Sequence, residues 1–475
     1  VTSRIVALAL AGLVAAGAPP AVAQAPSTAP AGATVPAPLP VAPPAPDLVA
    51  LLPWVSTPLD KPPVEVRALP LPPAPLELPA VPPAPLHLPA EPKPMAPMPL
   101  PRMGACALAW TRLSATESLE CGRARFVAGE LEEAAQNLEQ AAQSGTDRDL
   151  AAEARYWYGE ALYRLGRFEA ADWPFRQAAQ DFGPRDYGPW ALHSSAWTAL
   201  RLGDLGRARD AFRKLLSIAH PIPLDSWGRH GLALALYGLR NYEEADKVWA
   251  ELATRRIPLG LERDLLFWRA ESQGRVGRPE QAADQLKRFV QGGSHRLTST
   301  ALVLQGWWSL RASRTDEAEA AFRAFLASPA ARTPSAERDW AGAGLALVAT
   351  TAGNLAGARD LIKALDAGRS PLALPLRMRL AATAMAANQI AEAQSLTQEL
   401  LASSLAPGVR PWVLLLKGEA YRLEGNRDEA RTQFELARAV DPASETGRHA
   451  TLRLAQTNFE MREFAQAQRD LAPLV

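Results

Sequence analysis

The chain has 475 residues, 43 of them proline, and a formal net charge of +1. Its 51 basic and 50 acidic side chains give no electrostatic reason to expect a nucleic acid or an anionic membrane surface as partner. The composition is uneven: residues 1–103 hold 28 of the prolines but only 5 basic and 5 acidic side chains. Residues 104–475 carry nearly all the charge, and are enough for a large core or a long array of stacked units.

Residues 1–23 read as a secretory signal. Arg4 supplies the positive start, IVALALAGLVAAGA (5–18) the apolar run, and Ala21-Val22-Ala23 a cleavage site before Gln24. The run is shorter than the roughly 20 residues that span a bilayer. No cysteine lies near it, so it is not a lipoprotein signal. The expectation is a periplasmic or otherwise exported protein with no membrane span after signal cleavage; the other reading of the segment is an uncleaved anchor.

Residues 24–103 hold 26 prolines in 80 positions, including the tandem units LPPAPLELPA (71–80) and VPPAPLHLPA (81–90). Proline fixes φ and removes the N–H donor, so neither helix nor sheet runs through this tract, and polyproline II is its default. It reads as a disordered, semi-stiff linker or as a docking peptide for an aromatic groove.

Ser114-Ala115-Thr116-Glu117 is a capping box and predicts a helix start. Cys106 and Cys121 flank it and are the only cysteines. If residues 104–113 form a preceding antiparallel helix, the two thiols meet across a hairpin and form a disulfide. If 104–121 is one helix, they stand about 22 Å apart and cannot bond. The other reading is two buried small hydrophobes.

The rest of the chain repeats itself. An alanine recurs at Ala134, Ala171, Ala208, Ala245, Ala282, Ala318, Ala358, Ala393, Ala430 and Ala467, mostly at a spacing of 37. Twelve residues before each sits Gly or Ala: Gly122, Gly159, Ala196, Ala233, Ala270, Gly306, Ala346, Ala381, Gly418 and Ala455. Four residues after it there is usually a bulky side chain, such as Leu138, Phe175, Phe212, Trp249 or Phe322. This pattern predicts about ten units of two amphipathic helices joined by tight turns at Gly166, Gly203, Gly277, Gly353 and Gly425. The small residues mark close helix crossings, and the bulky ones are expected to fill the gap to the next unit. No unit buries its apolar face alone, so stacking supplies the core.

The stretches WYGEALYRLGRFEAADWPFRQAA (157–179) and LKGEAYRLEGNRDEARTQFELARAVDP (416–442) resemble the tetratricopeptide repeat. The longer period of 37 and AEARYWYGEALYRLGRFEAA (152–171) are similar to exported bacterial members. These are the cell-division coordinator associated with the Tol-Pal system and the tetratricopeptide subunit of the outer-membrane assembly machine. The resemblance implies an all-α, right-handed superhelical solenoid. Three departures stand out. Pro174 falls inside a second helix, which it is expected to kink or shorten. SPLALP (370–375) marks residues 366–376 as a hinge or seam between a first part, 104–365, and a second, 376–475. The last unit stops at Val475 without a polar closing helix, which implies that a partner covers that end or that the sequence continues.

No catalytic constellation is present: there is no G-x-S-x-G, G-x-x-x-x-G-K, H-E-x-x-H or C-x-x-C. His193 and His230 occupy one slot in adjacent units, too far apart to share a metal. No cofactor, metal or enzymatic activity is expected. In the family that this chain resembles, the first helix of each unit lines a concave groove. Carried onto this sequence, the groove takes Tyr156, Tyr163, Arg164, Trp190, His193, Trp197, Arg201, Trp227, His230, Tyr237, Phe267, Trp307 and Arg311, with Glu153, Glu160, Asp264, Glu271 and Arg275 in the same slots. Aromatic and Arg-rich surfaces suit peptide recognition.

The expected function is a scaffold that binds proteins or extended peptides of the bacterial envelope, in envelope assembly or maintenance. The alternative is the non-catalytic helical part of, or a partner to, a peptidoglycan-processing or secretion complex. The proline tract could also lie in the chain's own groove, in cis as a lid or in trans as a means of self-association.

Overall fold

A computed structural model describes residues 80–89, 93–101, 106, 113–143 and 147–474. The signal-like residues 1–23 and the first part of the proline tract, 24–79, lie outside the described residues.

Every regular element among the described residues is helical. The ten units are α1 (Ala115–Ala128) with α2 (Leu131–Ala142), α3 (Arg148–Arg164) with α4 (Phe168–Phe182), α5 (Gly188–Arg201) with α6 (Leu205–Ser217), α7 (Ile222–Gly238) with α8 (Tyr242–Ala253) and α9 (Glu262–Arg275) with α10 (Pro279–Gln291). They continue as α11 (Thr298–Arg311) with α12 (Thr315–Ala327), α13 (Ala336–Thr351) with α14 (Leu355–Ala367), α15 (Ala373–Ala386) with α16 (Ile390–Ala402), α17 (Arg410–Glu424) with α18 (Arg427–Val440) and α19 (Glu445–Glu460) with α20 (Phe464–Leu471). The described residues thus form an all-α array of paired, tetratricopeptide-like repeats. Odd-numbered helices pack on one another from α1 to α19, forming the layer that carries the groove slots.

The turn inside each unit has one geometry. The residue five before the repeating alanine is left-handed in all ten units. It is glycine at 129, 166, 203, 277, 353 and 425, and Arg240, Ser313, Asn388 and Arg462 in the others. Only glycine adopts this backbone without a Cβ clash. After three of the turns an Asp or Asn caps the second helix: the side chains of Asp204, Asn354 and Asn426 accept from the N–H groups of Arg207, Gly357 and Glu429.

The small and bulky slots face each other. A Cβ on Gly122, Gly159, Gly306 or Gly418 would stand 2.4–2.8 Å from Leu138, Phe175, Phe322 or Phe434. The bulky residue therefore first covers the small residue of its own unit. In three units it also reaches the next, as expected: Phe212 lies against Gly231, Phe322 against Gly344, and the Trp249 ring stacks on Trp268. The repeating alanines are buried throughout.

Pro174 does not shorten its helix. It is buried within the 15 residues of α4, the longest of the second helices. The helix runs on because its apolar face, Ala171, Phe175, Ala178 and Phe182, is held by the neighbouring helices. Across 366–376, Leu365, Leu372, Ala373 and Leu376 share one apolar cluster, and successive clusters meet within α11 and α17. The capping box is formed: Ser114 Oγ accepts from Glu117 N, and Glu117 Oε2 accepts from Ser114 N at 2.8 Å. Cys106 and Cys121 are joined by a disulfide, Cα to Cα 4.9 Å.

Candidate peptide-binding groove

The described part of the proline tract is not a free linker. Residues 80–89 and 93–101 form neither helix nor strand, yet Ala84, Lys93 and Ala96 are buried and Val81, Leu86, Leu88, Met95 and Met98 pack on the core of the array. Proline-rich backbone cannot pair with itself, so its carbonyls and few N–H groups need outside partners. The first helices of units two and five, and Arg296 in the loop before α11, provide them.

The tract runs opposite to the array. Arg275 on α9 donates to Val81 O at 2.7 Å and Pro82 O at 2.9 Å. Ala84 N reaches Glu271 Oε1 at 3.4 Å. Leu86 lies against Gly238, where a Cβ would come within 2.9 Å of it. Arg296, in the loop before α11, donates to His87 O and Leu88 O at 3.3 and 3.2 Å. Farther on, Lys93 Nζ meets Glu160 Oε1 at 2.5 Å and Ser194 Oγ at 2.8 Å. Ala96 N donates to the Tyr156 hydroxyl at 2.8 Å, and Arg164 to Met95 Sδ at 3.1 Å.

Two acidic centres organise this surface. Glu271 is fully buried and accepts from Tyr237 OH at 2.9 Å, Trp308 Nε1 at 3.0 Å and Arg275 Nε at 2.8 Å. Glu160 accepts from Lys93 and from Ser194 Oγ at 2.7 Å. The Lys93 ammonium also sits 4.7 Å from the Tyr163 ring centre and 5.3 Å from that of Phe175. Burial lowers the Lys93 pKa, and the Glu160 charge opposes that. Burial and the Glu160 charge push the Tyr156 hydroxyl well above the usual range, so it stays protonated.

The expected groove residues divide into two groups. Tyr156, Tyr163 and Arg164 contact the tract. Arg201 donates to Tyr163 OH at 3.4 Å, and Arg311 lies over the Trp308 ring. Trp190, His193, Trp197, Trp227, His230, Tyr237, Phe267 and Trp307 are buried with the tract in place. The rings of Trp197 and Trp227 meet edge to face at 5.8 Å, and Trp307 donates to Trp340 O at 3.2 Å. Trp197 Nε1 donates to His193 Nε2 at 2.9 Å and Trp249 Nε1 to His230 Nδ1 at 3.2 Å. The aromatic stripe closes on itself because large rings bury more area between units than against a thin extended chain.

Ser194, Arg296 and Phe175 were not legible as groove residues. Ser194 is one position past a groove slot, Arg296 belongs to a loop, and Phe175 matched the fold pattern. Among the described residues no group of three or more His, Cys, Asp or Glu could hold a metal, and no helix is long and apolar enough to cross a membrane.

This arrangement defines a helical-repeat scaffold whose inner layer holds an extended chain. The chain carries tetratricopeptide repeats: profiles of that repeat match residues 119–186, 189–214, 269–337 and 411–435. No curated protein sequence matches it. Among solved structures it is similar to YrrB, a TPR protein with an unusual peptide-binding site, at 15% identity and TM-score 0.34 over 40% of this chain and 92% of that one. Pseudomonas aeruginosa PilF matches at 14% identity and TM-score 0.36, over 45% and 90%. A tetratricopeptide repeat protein of Parabacteroides merdae matches at 17% identity and TM-score 0.35, over 56% and 97%.

Proposed function

We propose that this protein is an exported scaffold of the bacterial envelope whose groove binds extended, proline-rich chains of partner proteins. One observation carries the binding mode: the chain's own tract is seated in the groove, with both its backbone and a side chain recognised. Recognition of backbone carbonyls by Arg275 and Arg296 suits any extended chain, and proline-rich chains lose little freedom when held. The signal-like residues 1–23 support export. The disulfide is compatible with an oxidising compartment. The similarity of the repeat to exported envelope members supports a role in envelope assembly or maintenance.

The test is site-specific photocrosslinking in cells. A photoreactive residue at Tyr163 or Arg311 is expected to capture envelope proteins that the same residue at the outer-face position Arg323 does not. The same products from all three positions, or cytoplasmic products only, would overturn the reading.

A further inference from the structure

Three units place a glutamate directly after the small residue of the first helix: Glu160, Glu271 and Glu419. All three are buried. A buried carboxylate without a counter-charge is strongly destabilising, so each needs a cation. At Glu271 the array supplies it from the same helix, through Arg275 four residues on, at 2.7 Å. At Glu419 the array supplies it again, through Arg422 at 2.7 Å and Arg453 at 3.4 Å. Glu160 also has an arginine four residues on, but Arg164 is turned away. It lies 4.9 Å over the Phe126 ring and donates to Met95. The cation at Glu160 comes from outside the repeats, as Lys93 of the tract.

The surroundings of that ammonium are made for it. Glu160 and Ser194 both lie within hydrogen-bond distance, and the faces of Tyr163 and Phe175 add cation–π attraction. In the sequence the lysine stands between Pro92 and Pro94, and a residue directly before a proline, as Lys93 is before Pro94, is biased toward extended backbone.

We propose that Glu160, Ser194, Tyr163 and Phe175 form an ammonium-selective pocket, that Lys93 is its built-in occupant, and that a partner enters this end of the groove as an extended, proline-flanked chain presenting a lysine in place of Lys93. This rests on the groove reading above and adds to it the chemistry of the partner and a competitor in cis. Arg164 is placed to defeat it, since a swing toward Glu160 would neutralise the pocket without any ligand.

The test uses the full chain and two labelled peptides of residues 80–101, one with lysine at position 93 and one with norleucine. The wild-type chain is expected to bind the lysine peptide weakly, because Lys93 competes. The Lys93→Met chain is expected to bind it about tenfold tighter than the norleucine peptide, and the Lys93→Met/Glu160→Gln chain to lose that preference. If Lys93→Met fails to fold by circular dichroism, the comparison is made on Lys93→Gln, whose amide can bond Glu160 and Ser194. Equal binding of both peptides would overturn the pocket and leave the groove reading standing. Equal binding of the lysine peptide by the wild-type and Lys93→Met chains would overturn the built-in occupant. Binding of neither peptide would overturn partner entry at this pocket, while the groove reading stands or falls by the crosslinking above.

Discussion

The ring of Phe322 occupies the space that a side chain on Gly306 would need: a Cβ there would stand 2.4 Å from the ring. The same ring lies 2.3 Å from the Cβ position of Gly344 in the next unit, so one phenylalanine closes two helix crossings. Gly306→Ala is therefore expected to destabilise the fold by about 1–3 kcal/mol through overpacking. Urea denaturation should show the loss, and Gly306→Ala/Phe322→Leu should recover part of it.

The left-handed turn residues make an opposite prediction. Arg240 is exposed and holds φ at 63° in the slot that six units fill with glycine. Replacing it by glycine removes the Cβ clash at some entropic cost, for a net gain of about 0.5–1 kcal/mol. Gly203→Ala, in the same slot of the preceding unit, is expected to lose about as much. Thermal denaturation of the two variants should move in opposite directions.

His230 makes stability depend on pH. Burial, the leading cause, pushes its pKa down to about 4, with Asp264 opposing and Arg296 reinforcing. The folded ring stays neutral, while the unfolded chain takes up a proton below about pH 6.5. Stability is therefore full above that pH and falls as pH drops toward about 4, where the loss levels off at about 3 kcal/mol. His193, also lowered by burial, adds to the loss in the same direction. His230→Asn keeps an acceptor for Trp249, and should flatten the acid limb of stability against pH without removing it.

The alanine amides of the tract are reporters of groove occupancy. Ala96 N donates to Tyr156 OH in the second unit, while Ala84 N donates to Glu271 in the fifth, three units farther along the array. Tyr156→Phe deletes one bond worth about 1 kcal/mol, so exchange of the Ala96 amide should quicken about fivefold to tenfold. The Ala84 amide should be little changed. Hydrogen exchange read by NMR separates the two.

Reduction of the Cys106–Cys121 disulfide, which spans 15 residues of sequence, removes a constraint worth about 3 kcal/mol in the chain-entropy account. The loss should fall on the first unit, seen as faster proteolysis near α1 in reductant than without it.

Much of the fold was legible because the repeat is local chemistry. The turn glycines, the small slots and the bulky residues recur at fixed offsets, and each names a backbone or packing requirement that holds wherever the unit is placed. The capping box at Ser114 was legible for the same reason. Pro174 does not shorten its helix because helix propensity is a local quantity, whereas α4 is held by its neighbours. The groove was half legible. Tyr156, Tyr163 and Arg164 contact the tract, while rings of the tryptophan stripe pack on one another across units, as Trp197 does on Trp227. An aromatic side chain in a given slot has the same spacing whether it meets a ligand or the next helix.

The sequence by itself determined the ten-unit helical array and the inability of the proline tract to fold alone, since both follow from periodicity and from what proline does to a backbone. Only the tertiary structure decided where that tract goes. Lys93 and Glu160 lie 67 positions apart, Arg275 and Val81 lie 194 apart, and no periodicity links them. They come together because stacking places Glu160 in a buried position whose nearest arginine is turned elsewhere, and a buried carboxylate must find its cation from some other part of the chain.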